Sequence, residues 1–161
     1  SAIQGDWRYF QCSRRCHDEL YDSVETLHKL NDAIGPDLRV PTDMIPRCPK
    51  CGAEMEPWVR SWVFLEGKKY HEEHNKLNAF LKKNMHKKVL FLELGVGRMT
   101  PMFIQEPFWD LTYAWPGAFY ITINPRDAIV PDELKNKGMA IREDIAKVLA
   151  DTRKIFSGEM K

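Results

Sequence analysis

Four cysteines are the residues of this 161-residue chain whose type and spacing most directly imply chemistry. Cys12 and Cys16 stand four apart, and Cys48 and Cys51 stand three apart in Pro46-Arg47-Cys48-Pro49-Lys50-Cys51-Gly52. Two short clusters separated by a longer segment are what a tetrahedral four-thiolate zinc site requires, each pair wrapping one side of the metal in a tight turn. Gly52 can supply the positive φ that such a turn often needs. Disulfides and thiol redox chemistry are the competing readings, less suited to a reducing compartment and to this spacing. His17 adjoins Cys16 and could replace one thiolate. With every coordination position filled by protein, the metal would hold loops together rather than activate water or substrate.

Other residues invite a chemical reading. His71-Glu72-Glu73-His74 places two histidines three apart, not at the four-residue spacing of the zinc-protease helix, so a solvated helix with one packed histidine is the expectation. Gly95-Val96-Gly97 follows the apolar run Val89-Leu90-Phe91-Leu92, and Asn124 ends the run Phe119-Tyr120-Ile121-Thr122-Ile123. Glycines in a turn after a strand let backbone amides approach a phosphate or ribose, though a tight turn without ligand fits equally well. Asn124 before Pro125 is also what a capped strand end looks like.

These residues must be positioned by an α/β arrangement. His17 to Asn31 carries Leu20, Val24 and Leu27 at helical spacing, and Lys68 to Met85 carries Tyr70, His74, Leu77 and Leu81 along one stripe. Val89–Leu92 is unbroken apolar sequence, as in a parallel strand buried on both faces. A further strand is expected near Met139-Ala140-Ile141, then a closing helix with Ile145, Val148, Leu149 and Ile155 on its inner side. In such sheets ligands bind beyond the carboxyl ends of the strands. Lys and Arg number 24 against 23 acidic residues, so a net charge of +1 offers no general attraction for nucleic acid or anionic lipid. No apolar run approaches the roughly 20 residues of a membrane helix, and no signal-peptide pattern opens the chain. A cytoplasmic location is the expectation. The chain begins at Ser1 in mid-pattern, and its three expected strands fall short of a two-faced sheet, so a cut through a longer polypeptide is also expected.

The four-cysteine module, the strand ending in a glycine turn and Ile121-Thr122-Ile123-Asn124 together resemble the zinc module and second half of a sirtuin. The likeness is strongest to bacterial macrodomain-linked sirtuins, in Phe10-Gln11-Cys12, Cys16-His17-Asp18-Glu19-Leu20-Tyr21-Asp22 and Glu54-Met55-Glu56-Pro57-Trp58-Val59-Arg60. It implies the second half of an open, parallel, Rossmann-like dinucleotide-binding sheet with an inserted zinc module. Residues 1–66 would form the zinc module and substrate channel, and 67–161 the C-terminal half of the dinucleotide-binding domain. The Gly-Ala-Gly phosphate loop and Gln-Asn-x-Asp nicotinamide motif of the family's first half do not occur here.

The resemblance also implies roles. Gly95, Val96 and Gly97 occupy the place of the family's Gly-Thr-Ser against the NAD ribose, here without either hydroxyl. Asn124 matches the Asn that contacts the adenosine ribose, and Ile145 lies near the adenine position. Val59 and Arg60 fall where the family's backbone pairs with a substrate peptide as an added strand. Trp58, Trp62 and Phe64 either wall that channel or simply pack. Gln4 stands where most sirtuins have a histidine general base, and an amide cannot take a proton near neutral pH. Stabilising an oxocarbenium-like state does not need that base, so ADP-ribosyl transfer survives its loss better than deacylation does. As a member of the macrodomain-linked subgroup, the chain would serve an NAD-dependent ADP-ribosyltransferase acting on a protein substrate, a lipoylated carrier such as the glycine cleavage H protein. NAD-dependent deacylation and a non-catalytic zinc-stabilised module are the alternatives, and at the chain's edge Gln4 carries no message under a neutral reading.

Overall fold

Two three-stranded sheets organise the protein, as seen in a computed structural model that describes residues 2–158. The chain divides into two compact units, one up to Ala79 and one from Phe80. The first is built on an antiparallel sheet of β1 (Gly5–Cys12), β2 (Tyr21–Asp22) and β3 (Met55–Val59), in the order β2-β1-β3. β1 delivers Cys12 to the metal-binding end, and its bulge between Asp6 and Phe10 re-registers it against β3. Trp58 on β3 is fully buried, stacks on Phe64 at 5.3 Å and donates its indole N–H to the Leu65 carbonyl at 2.9 Å. Trp58 and Phe64 are therefore packing, whereas Trp62 is fully exposed and does not join the core.

Helix α1 (Val24–Asp32) begins seven residues later than the periodicity from His17 implied, because Tyr21–Asp22 pairs with β1 instead. It buries no residue; Val24 itself is exposed. Helix α2 (Lys68–Asn84) forms where expected, with Tyr70, His74, Leu77 and Leu81 as half-buried positions on its stripe. Tyr70 stacks on His74 with centroids 6.0 Å apart, and His71 is exposed, so the His-Glu-Glu-His stretch is a solvated helix with one packed histidine. The Asp18 carboxylate accepts the Lys68 N–H at 2.8 Å, tying the helix start to the cysteine loop.

The second unit holds the parallel sheet of β4 (Val89–Leu94), β5 (Ala118–Ile123) and β6 (Gly138–Ile141), in that order. Val89 faces Ala118 and Leu94 faces Ile123 in continuous parallel register. Helix α3 (Gln105–Ala114) joins β4 to β5, and Phe91, Trp115, Ala118 and Tyr120 form the core, with Phe108, Trp109 and Leu111 packed against it. Lys137 Nζ closes the C-terminal end of α3 by donating to the Thr112 and Trp115 carbonyls, the latter at 2.6 Å. Among the described residues the expected burial of β4 on both faces does not occur. Phe91 and Glu93 are buried, whereas Leu90, Leu92 and Leu94 are exposed, the alternation of a sheet covered on one face only. Helix α4 (Ile145–Ser157) likewise half-buries Ile145 and Val148 but leaves Leu149 and Ile155 exposed.

Beneath β4 and β5 lies a polar cluster. Glu93, at 1% exposure, accepts from Gln105 Nε2 at 3.0 Å, Thr122 Oγ1 at 2.9 Å and Tyr120 O–H at 2.8 Å. Burial, and next the carboxylate beside it, push the Tyr120 phenol well above its ordinary value, so this O–H remains a donor.

Candidate metal centre and cofactor rim

The backbone around the cysteines explains why the pairs converge. Cys48 N–H donates to Ala53 O at 2.7 Å and Gly52 N–H to Cys48 O at 2.8 Å, closing a tight turn with Gly52 at φ +69°. Across it, Ser13 N–H donates to Glu54 O and Arg15 N–H to Cys12 O, which fold the first pair back against the second. The ligand atoms of Cys12, Cys16, Cys48 and Cys51 all lie within 4.8 Å of one another. Cys12 and Cys51 sulfurs are 3.6 Å apart, as are those of Cys16 and Cys48. A tetrahedral site with Zn–S bonds of about 2.3 Å has sulfurs about 3.8 Å apart, so the donor set fits zinc. All four are free thiols here, and no pair is at disulfide distance.

Their protonation points the same way. The Cys16 backbone N–H holds the Cys12 thiol down to about 6, while burial of its sulfur among the other three pushes Cys16 up to about 12. Cys16 as a residue is exposed, but its sulfur sits inside the cluster. A thiolate and a reluctant thiol side by side are what an incoming dication resolves, by expelling the remaining proton. His17 is adjacent: its Nδ1 lies 3.0 Å from the Cys16 sulfur and 3.9 Å from that of Cys48, and its Nε2 lies 2.8 Å from the Tyr21 hydroxyl. It sits beside the cluster, and the four sulfurs supply a complete ligand set without it.

In the same unit, the structure brings Gln4, Val59 and Arg60 together. Gly5 pairs with Val59, and Arg60 N–H donates to Gln4 O at 2.9 Å. Gly5 has φ +88°, and a Cβ there would lie 2.0 Å from the Trp58 carbonyl oxygen, so only glycine permits this approach. The Arg60 guanidinium lies over the Phe64 ring at 4.1 Å and the Tyr70 ring at 5.3 Å, and donates to Ile3 O at 2.8 Å and to Glu66. Among the named strands β3 pairs only with β1, and at its start the outer edge is taken by Pro46, whose carbonyl accepts the Met55 N–H at 2.9 Å.

In the second unit, the structure brings Gly95, Val96, Asn124 and Ile145 together at the carboxyl ends of β4 and β5. Gly95 N–H continues the ladder to Ile123 O at 2.9 Å, then turns at φ +67°, with Ile145 Cδ1 lying 3.1 Å from where a Cβ would be. Asn124 Nδ2 donates to Val96 O at 3.0 Å, and its Oδ1 accepts from Arg126 N–H at 2.9 Å and Asp127 N–H at 3.0 Å. The side chain thus shapes both turns and keeps one amide N–H beyond the bond to Val96. Gly97 is exposed, with open space around it. The sequence reading missed Glu93; a lone carboxylate within an apolar strand was the available signal.

No family model matches the chain. A protein ADP-ribosyltransferase of Staphylococcus aureus strain Mu50 is 35% identical over 149 residues, covering 91% of this chain and 47% of the relative. A probable bifunctional ADP-ribose hydrolase/ADP-ribosyltransferase of Fusarium oxysporum f. sp. cubense is 27% identical over 164 residues, covering 92% of this chain and 26% of the relative. The chain therefore spans about half or less of the curated relatives it matches. Among solved structures, a Sir2 complex with a p53 peptide and NAD+ superposes with a TM-score of 0.55 at 14% identity, covering 98% of this chain and 55% of that one. Sir2Tm bound to a propionylated peptide gives 0.52 at 14% identity, with 98% and 55% covered. The fold of this chain is that of just over half a sirtuin.

Proposed function

We propose, from a chain with the sirtuin fold, that this polypeptide is the zinc-bearing and ribose-facing part of an NAD-dependent protein ADP-ribosyltransferase. The likeness to a relative bearing that name runs over 91% of the chain and carries the reading. The chemistry of position 4 agrees with it, since a glutamine ahead of Gly5 has no titration with which to serve as general base. NAD supplies an activated glycosidic bond: nicotinamide leaves with the bonding pair, and the acceptor's nucleophile forms the new bond at the anomeric carbon and loses its proton.

In this reading residues 1–66 carry the zinc module and substrate segment, and 67–161 the cofactor half. Cys12, Cys16, Cys48 and Cys51 would hold zinc and fix the loop that carries Asp18. Gly95, Val96 and Gly97 offer backbone donors to a ribose, Asn124 its remaining amide N–H, and Ile145 an apolar face for adenine. Val59 and Arg60, at the end of β3, would receive an extended segment of a protein substrate, for which a lipoylated carrier is our specific suggestion. A cluster of free thiols suits a reducing compartment such as the cytoplasm. No helix among the described residues is long and apolar enough to cross a membrane.

The test is mass spectrometry of a lipoylated carrier incubated with the full-length enzyme and NAD. A gain of one ADP-ribose on the carrier is the expected result. Release of O-acyl-ADP-ribose from an acyl-lysine peptide, with the carrier unmodified, would replace this reading by deacylation.

A further inference from the structure

The strand that ends at the glycine turn carries a single charged residue, Glu93, and that charge is buried without a cation. Among the described residues no Lys or Arg forms an ion pair with it; its oxygens are satisfied by Gln105, Thr122 and Tyr120. A carboxylate in such a place is costly, and an apolar side chain would serve the core better. What the carboxylate does that an apolar residue could not is reach across a loop. Glu93 lies two residues before Gly95, and Gln105 is the first residue of α3. Both are 1% exposed, and their 3.0 Å bond joins the two ends of the segment between them.

That segment is also held from within, since Thr100 and Phe103 each make interactions of their own. It contains Gly95 and Gly97, and Met99 is 95% exposed. Its middle is fixed at Val96 by Asn124, and a short 3-10 turn spans Pro101–Phe103. Helix α3 starts without a capping side chain of its own, so the Glu93–Gln105 bond is the side-chain tie at its first residue. Thr122 and Tyr120 hold the same carboxylate from β5, which makes the anchor rigid on the sheet side.

We propose that the buried Glu93–Gln105 hydrogen bond is a staple that preshapes the segment from Gly95 to Ile104 as the seat for a dinucleotide ribose, with Gln105 as the positioning residue. The seat rests on the proposed use of NAD; the staple does not. A turn without hydroxyl side chains binds through backbone donors, whose directions are set only by the chain's path. Ordering that path before the ligand arrives removes an entropic cost from binding.

Arg98 lies in the segment, is exposed, and gives trypsin a site that reports its freedom; exposed Arg142, after β6, serves as the internal reference. In the full-length enzyme, Gln105→Leu and the milder Gln105→Asn are expected to raise cleavage after Arg98 at least tenfold relative to cleavage after Arg142. Tyr120→Phe removes a donor to the same carboxylate without touching the segment, and should leave that ratio within twofold. In Gln105→Asn the KM for NAD should rise severalfold with kcat within twofold. An unchanged ratio in both Gln105 variants overturns the staple, as does an equal rise in Tyr120→Phe or a parallel rise at both sites. If millimolar NAD fails to protect Arg98 in the unaltered enzyme while the Gln105 shift is present, the seat and the proposed cofactor fall and the staple stands.

Discussion

Replacing Asn124 by aspartate turns one side chain into a test of how the carboxyl-end rim is held. Asn124 is 7% exposed and makes three hydrogen bonds, donating to Val96 O and accepting from the Arg126 and Asp127 amides. Each such bond contributes about 0.5–1.5 kcal/mol net, and water can reach exposed Arg126, so Asn124→Ala should cost about 2–3 kcal/mol of unfolding free energy. Asn124→Asp keeps both accepted bonds. Its other oxygen, however, replaces a donor with a lone pair facing the Val96 carbonyl near 3.0 Å. Protonated, the aspartic acid regains an O–H to donate. The two accepted N–H bonds favour the carboxylate, but burial and the facing carbonyl oppose it, and the net expectation is a folded-state pKa above the unfolded value of about 3.9. With a raised folded pKa, the native state binds the extra proton, so the compensating stability is present at low pH and is lost as pH rises through the folded value. Urea unfolding of wild type, Asn124→Ala and Asn124→Asp at pH 5 and pH 8 reads this directly. The deficit of the aspartate variant should grow by about 1 kcal/mol or more from pH 5 to pH 8, while that of the alanine variant stays constant. A deficit for Asn124→Asp that does not change with pH, or an Asn124→Ala cost under about 1 kcal/mol, would refute the assigned bonding.

Three other outcomes are expected. Gly5→Ala forces a Cβ to 2.0 Å from the Trp58 oxygen at φ +88°, so it should cost more than about 3 kcal/mol, visible as a collapse of the thermal midpoint. Cys48→Ser removes a buried sulfur from the four-sulfur cluster, and elemental analysis should fall from about one zinc per chain to a small fraction of that. Lys137→Met strips two charge-assisted bonds from the end of α3, and its urea midpoint should report a loss of about 1.5–3 kcal/mol.

The features legible beforehand were those set by local pattern. The stripe through Tyr70, His74, Leu77 and Leu81 needs nothing but helical periodicity, and α2 follows it closely. The two cysteine pairs announced their cluster, since thiols at that spacing have few other uses. The segments near Val89, Phe119 and Met139 became neighbouring parallel strands, in that order. By contrast, Leu20, Val24 and Leu27 fit a helical period equally well but yielded a two-residue strand and a shorter, unburied helix. There β1 competed for Tyr21 and Asp22, and distant pairing is invisible to a local period. β1 and β3 were missed for the same reason, their partners lying some fifty residues apart.

Sequence alone thus determined the ligand types, the order of elements and the glycines that allow close approach, because each depends on a residue's own chemistry and its nearest neighbours. Only the tertiary structure decided that β4 is covered on one face, that Asn124 spends most of its amide on two turns, and that Glu93 reaches Gln105 across a loop. Those outcomes depend on which groups meet from distant parts of the chain. A buried polar group must find partners wherever the fold brings them, and no local pattern names them in advance.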